Sequence, residues 1–213
     1  MLSNTQEDRN FVTILADGKL HMTVEEGTEG ARKREYETSD GKTGEKWELV
    51  FTEVTGKITE VKFFEGDYGK SLQLKIEDGD EKPVVLSLSC ASNYGEDAMK
   101  KIINVDLEKD VKIVPYSFLD DKGKNKKGVT IYQEDQKIKN FFYDEDAKKN
   151  INGYPEPKKL KKPLSKDQWK LYFMEARMFL IDAITEHFKL EKVNEDADLD
   201  ELAGDMTEEK KKF

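Results

Sequence analysis

The chain has 213 residues, 38% of them charged and 36% hydrophobic, with a net charge of −9 and a mean hydropathy of −0.80. That balance excludes a uniformly basic nucleic-acid binder, and with no run near eighteen apolar residues it predicts no membrane span. Cys90 is the single cysteine, so an internal disulfide is excluded; with no basic, apolar leader at the start, a reducing, cytoplasmic setting is expected.

The charge is uneven. Residues 191–213 hold nine Asp and Glu against four Lys, whereas Lys57–Phe142 holds fifteen Lys and sixteen Asp and Glu and is close to neutral. Binding within that middle stretch has to come from local arrangement rather than from a large field.

In chain order, "NFVTILADGKLHMTV" reads as a hairpin turning at Asp17-Gly18. "EEGTEGARKREYETSDGKTG" is rich in glycine and charge and reads as loop, so residues 1–44 are expected to form a hairpin and arm. "EKWELVFTEVTGKITEVKFFE" is a long strand-like run broken at Gly56, where a glycine allows a bend or bulge. "GKSLQLKIED" alternates, with Leu72, Leu74 and Ile76 on one face and Ser71, Gln73 and Lys75 on the other. "KPVVLSLSC" alternates in the same way.

"SNYGEDAMKKIINVD" reads as a short helix capped by Asn93, with Glu96 in the capping-box position. "DVKIVPYSF" follows as a strand that Pro115 sends to an edge or bulge. After the polar loop "LDDKGKNKKG" come two short strands, Val129–Gln133 and Lys137–Tyr143. Three strands, a short helix and two strands is the order of an OB-fold. Residues 45–146 are therefore expected to form a five-stranded Greek-key barrel with a helix between strands three and four.

The Lys- and Pro-rich stretch 147–164 reads as a linker. Ser165 and Gln168 then open a helix over 165–190, with Trp169, Phe173, Ala176, Leu180, Ala183, Ile184 and His187 at three- and four-residue steps. Tyr172, Phe179 and Phe188 widen its stripe, so it is expected to pack on the barrel or between subunits of a homo-oligomer. Residues 191–213 are acidic and poor in apolar groups, as in a disordered tail.

Enzyme chemistry finds little support. Two histidines and one cysteine make no zinc cluster, and no phosphate-binding glycine loop or nucleophile elbow is present. The Asp pairs at 78–80 and 120–121 read as turns. No catalytic residue, metal or cofactor is expected.

What remains is rings beside lysines on outward strand positions, the pattern that grips single-stranded nucleic acid by base stacking and phosphate contact. Alternation points outward Lys62, Phe64, Lys75, Lys112, Tyr116 and Tyr132. Lys137 and Lys139 flank Ile138. Tyr68 and Lys70 sit in the "EGDYGK" loop, and in the row Phe141-Phe142-Tyr143 at least one ring points away from the core; Phe142 is assigned to the binding face. The competing role for each ring is to fill a barrel.

"GDYGKSLQLKIEDGDEKPVVLSLS", "AMKKIINVDLEKDVKIVPYSF" and "DDKGKNKKGVTIYQEDQKIKNFF" together resemble bacteriophage single-stranded-DNA-binding proteins of the OB-fold type, over residues 30–145. The resemblance implies a replication and recombination accessory that coats single-stranded DNA without sequence preference. It also implies a tail that contacts replication partners (polymerase, helicase or primase) and competes with DNA for the groove. Asp198, Asp200 and Glu201 in "NEDADLDELAGDM" and the terminal Phe213 match such a tail, with "EEKKKF" in place of a run of acids. A rival reading uses the same barrel to bind a replication or host protein, with the tail as a DNA mimic. A carboxylate-metal nuclease is a third, disfavoured by the absence of a clear cluster.

Overall fold

The computed structural model describes residues 9–37, 41–67, 69–157 and 163–190. Strands β1 (Asn10–Ile14) and β2 (Leu20–Val24) form the expected hairpin, and Gly18 in its turn has φ +74. A Cβ at Gly18 would lie 2.6 Å from the Ser117 backbone nitrogen, so only glycine lets the turn close on that distant segment. The stretch read as a loop contains a third strand, β3 (Arg32–Glu37), paired with β4 (Thr43–Phe51). Charged strands of this kind carry a period-two pattern in which polar groups occupy both faces, and composition alone hides it.

The long run from Glu45 divides at Thr52-Glu53 rather than at Gly56, giving β4 and then β5 (Val54–Gly66). Gly56 lies inside β5 with φ +132, and a Cβ there would sit 2.5 Å from the Glu77 carbonyl oxygen. The register shift follows two residues later, between Ile58 and Glu60. The glycine therefore serves close strand approach next to a bulge, the irregularity expected of it, while the strand boundary lies earlier, at Thr52-Glu53.

Next come β6 (Gly69–Glu77), β7 (Val84–Ser89), α1 (Asn93–Ile102), β8 (Asp110–Leu119) and β9 (Asn125–Gln133). The short pieces β10 (Gln136–Lys137), β11 (Tyr143–Asp144) and β12 (Lys149–Asn150) follow, and then α2 (Lys166–His187). The molecule is mainly β. One ten-stranded sheet runs β10-β9-β8-β5-β6-β7-β1-β2-β4-β3, not a sheet of five strands. In its middle, β9-β8-β5-β6-β7, β5 is flanked by β6 and β8. The neighbour of β7 on its other side is β1, in parallel, with Phe11 opposite Val85 and Thr13 opposite Ser87.

The outer edge of β9 is covered at one end by the two-residue β10 and, at Val129, by α1. Val129 N–H donates to the Asp97 carboxylate at 2.8 Å, and Lys101 donates to the Val129 carbonyl at 2.6 Å while pairing with Asp97 at 2.8 Å. Two side chains thus satisfy the groups a neighbouring strand would have bonded. Pro115 faces Val129 across β8–β9, beyond the last β5–β8 pair at Val54 and Ile113, so its missing N–H breaks no ladder. α1 is capped by Ser92, whose hydroxyl accepts from Gly95 N–H, one residue before the expected Asn93.

A single core joins sheet and helices: Ile58, Leu72 and Leu74 from strands, Met99 and Ile102 from α1, Leu180 and Ile184 from α2. Each such side chain contributes about 1.5–3 kcal/mol when fully buried. α2 has the expected capping box, Ser165 accepting from Gln168 N–H while the Gln168 side chain accepts from Ser165 N–H.

The expected strand Lys137–Tyr143 stops at Lys137. Phe141 N–H donates to the Lys100 carbonyl at 2.8 Å, and Phe142 N–H to Asn140 Oδ1 at 2.8 Å, which folds the chain into a turn. Phe142 is consequently 2% exposed, edge-on to Phe141 at 5.0 Å and to Phe179 at 5.4 Å. It is a core residue, not part of an open face; the ring of this row that points outward is Tyr143.

Candidate nucleic-acid interface

Four adjacent strands place one open groove. On β5, Lys62 and Phe64 lie opposite Gln73 and Ser71 of β6, and Gln73 lies opposite Ser87 of β7, which is beside Thr13 of β1. Period-two alternation sends all of these to the same side, away from Leu72 and Leu74. Phe64 is 52% exposed and Phe11 57%. The two rings flank a polar floor of Ser71, Gln73 and Ser87, with Lys62 and Arg9 on the rim and the β5–β6 turn at one end, in a groove of about 770 Å³. A Cβ at Gly66 would meet the Phe64 ring at 2.9 Å, so Gly66 makes room for that ring to lie against the turn. Half-exposed phenyl rings beside hydroxyl and amide groups form a surface on which flat, partly polar molecules can stack.

The cations here have carboxylate neighbours. Lys62 pairs with Glu60 at 3.1 Å, Lys70 with Glu65 at 3.8 Å and Lys75 with Glu77 at 2.9 Å. Of the three, Lys62–Glu60 is exposed at both ends, and an exposed pair is worth about 0–1 kcal/mol and opens readily to a phosphate.

A second ring cluster occupies the outward face of β8 and β9. Lys112 lies over the Tyr132 ring at 5.3 Å. Tyr116 covers Gly128, where a Cβ would meet its ring at 2.7 Å, and contacts Phe118 at 5.8 Å. Burial, with Asp97 beside it, pushes the Tyr116 hydroxyl above its ordinary value, so this ring is tied down by α1. Lys112 pairs with Thr55 on β5, and Phe64 lies nine residues further along that strand, roughly 30 Å at about 3.3 Å per residue. The expected residues thus fall into three groups: Lys62, Phe64 and Lys75 on the groove side, Lys112, Tyr116 and Tyr132 on the second cluster, and Lys70 on the other side of β6, with the parity of Leu72 and paired with Glu65. Lys137 and Lys139 are exposed beyond β9, and Phe142 is inside. Tyr68, Asp198, Asp200, Glu201 and Phe213 lie outside the described residues.

Sequence reasoning missed Phe11 and the outward face of β3 and β4. There Lys46 lies 5.0 Å and Arg34 5.9 Å from the Tyr36 ring. The signal was available in "RKREYE", where Arg32, Arg34 and Tyr36 share one face. Beside them His21 is buried, its Nδ1 2.9 Å from Glu48 and its Nε2 3.1 Å from Asp17, and Arg34 reaches Glu48 at 2.7 Å. Burial pushes the Glu48 carboxyl up, but hydrogen bonds from Arg34 and His21 outweigh it and the net shift is downward.

Among the described residues no cluster of His, Cys, Asp and Glu is placed to hold a metal ion, and no helix is long and apolar enough to cross a membrane. Comparison with protein-family models, curated proteins and solved structures finds no match to the chain.

Proposed function

We propose that the protein binds single-stranded DNA without sequence preference and coats it during replication, recombination or repair. In this reading β5–β9 with α1 are an OB-fold unit whose usual closure is opened by β1, and the groove across β5, β6, β7 and β1 is the DNA track. The observation that carries the reading is the pair Phe11 and Phe64, half-exposed on either side of a polar floor. Stacked bases would cover them at about 1–3 kcal/mol per base, and Lys62 and Lys75 would exchange carboxylates for phosphates. No catalytic step is assigned. Titration of labelled oligo-dT tests it: micromolar or tighter binding that weakens in Phe11→Ala and Phe64→Ala supports the groove, and parental affinity in both rejects it.

One observation favours a second reading, a protein-docking module. The groove-side lysines Lys62 and Lys75 are already matched by Glu60 and Glu77, as on a surface adapted to a protein. Under that reading the acidic residues 191–213 imitate DNA. Absence of oligo-dT binding at low salt would select it.

A further inference from the structure

α2 has a second apolar face that the domain does not use. Ala176, Leu180 and Ile184 are buried against the core. On the far side Leu171 is 47%, Met174 42% and Met178 53% exposed. Ile181, half-buried where this face meets the core, continues the row, so the four fall at steps of three, four and three, the a and d spacing of a coiled-coil seam. A helix apolar on two sides is built to be covered on both.

The flanking charges say what covers it. With Leu171 and Met178 at a, and Met174 and Ile181 at d, Lys170 and Arg177 occupy g positions and Glu175 and Asp182 occupy e positions. None of these four makes an ion pair among the described residues. In a parallel, in-register pair of such helices, each g residue faces the e residue of the next heptad on the other chain. Lys170 then meets the second copy's Glu175, and Arg177 its Asp182, twice over by symmetry. In an antiparallel pair g faces g and e faces e, which sets like charges together.

We propose that the protein self-associates through α2, two copies pairing parallel and in register along Leu171, Met174, Met178 and Ile181. Parallel pairing through a two-fold axis would place both grooves on one assembly. The inference rests on helix spacing and charge, not on DNA binding, so either can fail alone.

Sedimentation of the full chain over a micromolar dilution series tests it, with a species of twice the 24.6 kDa chain mass expected. Leu171→Glu with Met178→Glu, both on the exposed face, should stay folded by circular dichroism and sediment as a monomer throughout. Met174→Cys should form a disulfide-linked dimer on mild oxidation, because in-register pairing sets the two 174 positions opposite each other. Cys90 does not compete: burial pushes its thiol up to about 11. Glu175→Lys with Asp182→Lys should be monomeric alone and recover the dimer when mixed with Lys170→Glu, Arg177→Glu protein. A parent chain that is monomeric throughout, a doubly substituted Leu171/Met178 variant that still dimerises, or a dimer that Met174→Cys fails to cross-link would overturn the proposal.

Discussion

Phe64 and Phe11 hold half their ring area in water at no gain to the fold, which makes them the sharpest residues on which to test function. Alanine at either should lower oligo-dT affinity by about 1–3 kcal/mol with the melting temperature nearly unchanged, read by fluorescence titration and thermal denaturation. Phe142→Ala should do the reverse. It removes a 2%-exposed ring from the contact with Phe141, Tyr154 and Phe179, and costs about 3–5 kcal/mol of stability. Glu48 gives a pH test. Its carboxyl lies below its ordinary value of 4.5, so its ionised form is favoured by folding. The stability it contributes is present above that ordinary value and is lost as pH falls through the lower folded value. Glu48→Gln should therefore destabilise at pH 7, with the gap to the parent narrowing as pH falls below the ordinary value of 4.5, in denaturant titrations across pH.

At the scale of elements, the edge of β9 depends on two side chains of α1. Asp97→Ala leaves the Val129 N–H without its acceptor and the largely buried Lys101 without its ion partner. The expected loss is about 1–3 kcal/mol, seen as a lower denaturant midpoint. Amide exchange should quicken first at Val129, ahead of the rest of β9. Lys101→Met, which removes charge and donor together while keeping the aliphatic stem, should cost less, because it leaves no buried charge behind. An equal or larger loss in Lys101→Met would mean that the Lys101 bond to the Val129 carbonyl matters more than the ion pair.

For the whole molecule, net charge sets the terms on which DNA would be met under the proposed function. The chain as a whole repels a polyanion, and residues 191–213 carry more than half of its −9. A tethered polyanion competes for a nearby cationic groove at high effective concentration. Truncation after Leu190 should therefore raise oligo-dT affinity, most at low salt, where the attraction is least screened. The logarithm of affinity should fall with that of salt by about 0.7 per phosphate contacted. Equal affinity in full-length and truncated protein at every salt would leave the tail with partner contact or solubility as its role.

Much of the strand content was legible because burial on one side of a sheet imposes a period of two, as at Leu72, Leu74 and Ile76. The α2 start was legible because Ser165 and Gln168 act within one turn. The charged strand β3 was not, since nothing apolar marks its faces, and Phe142 was not, since an Asn140 turn overrides the alternation around it. The sequence by itself determined which side chains could face out together on each strand: Lys62 with Phe64, Lys112 with Tyr116. Only tertiary structure decided which strands became neighbours. The β1–β7 pairing joins residues more than seventy positions apart through backbone hydrogen bonds that carry no residue code. That one pairing brings Phe11 to Phe64, while Tyr116 and Tyr132 gather far from them around the β5–β8 and β8–β9 pairings.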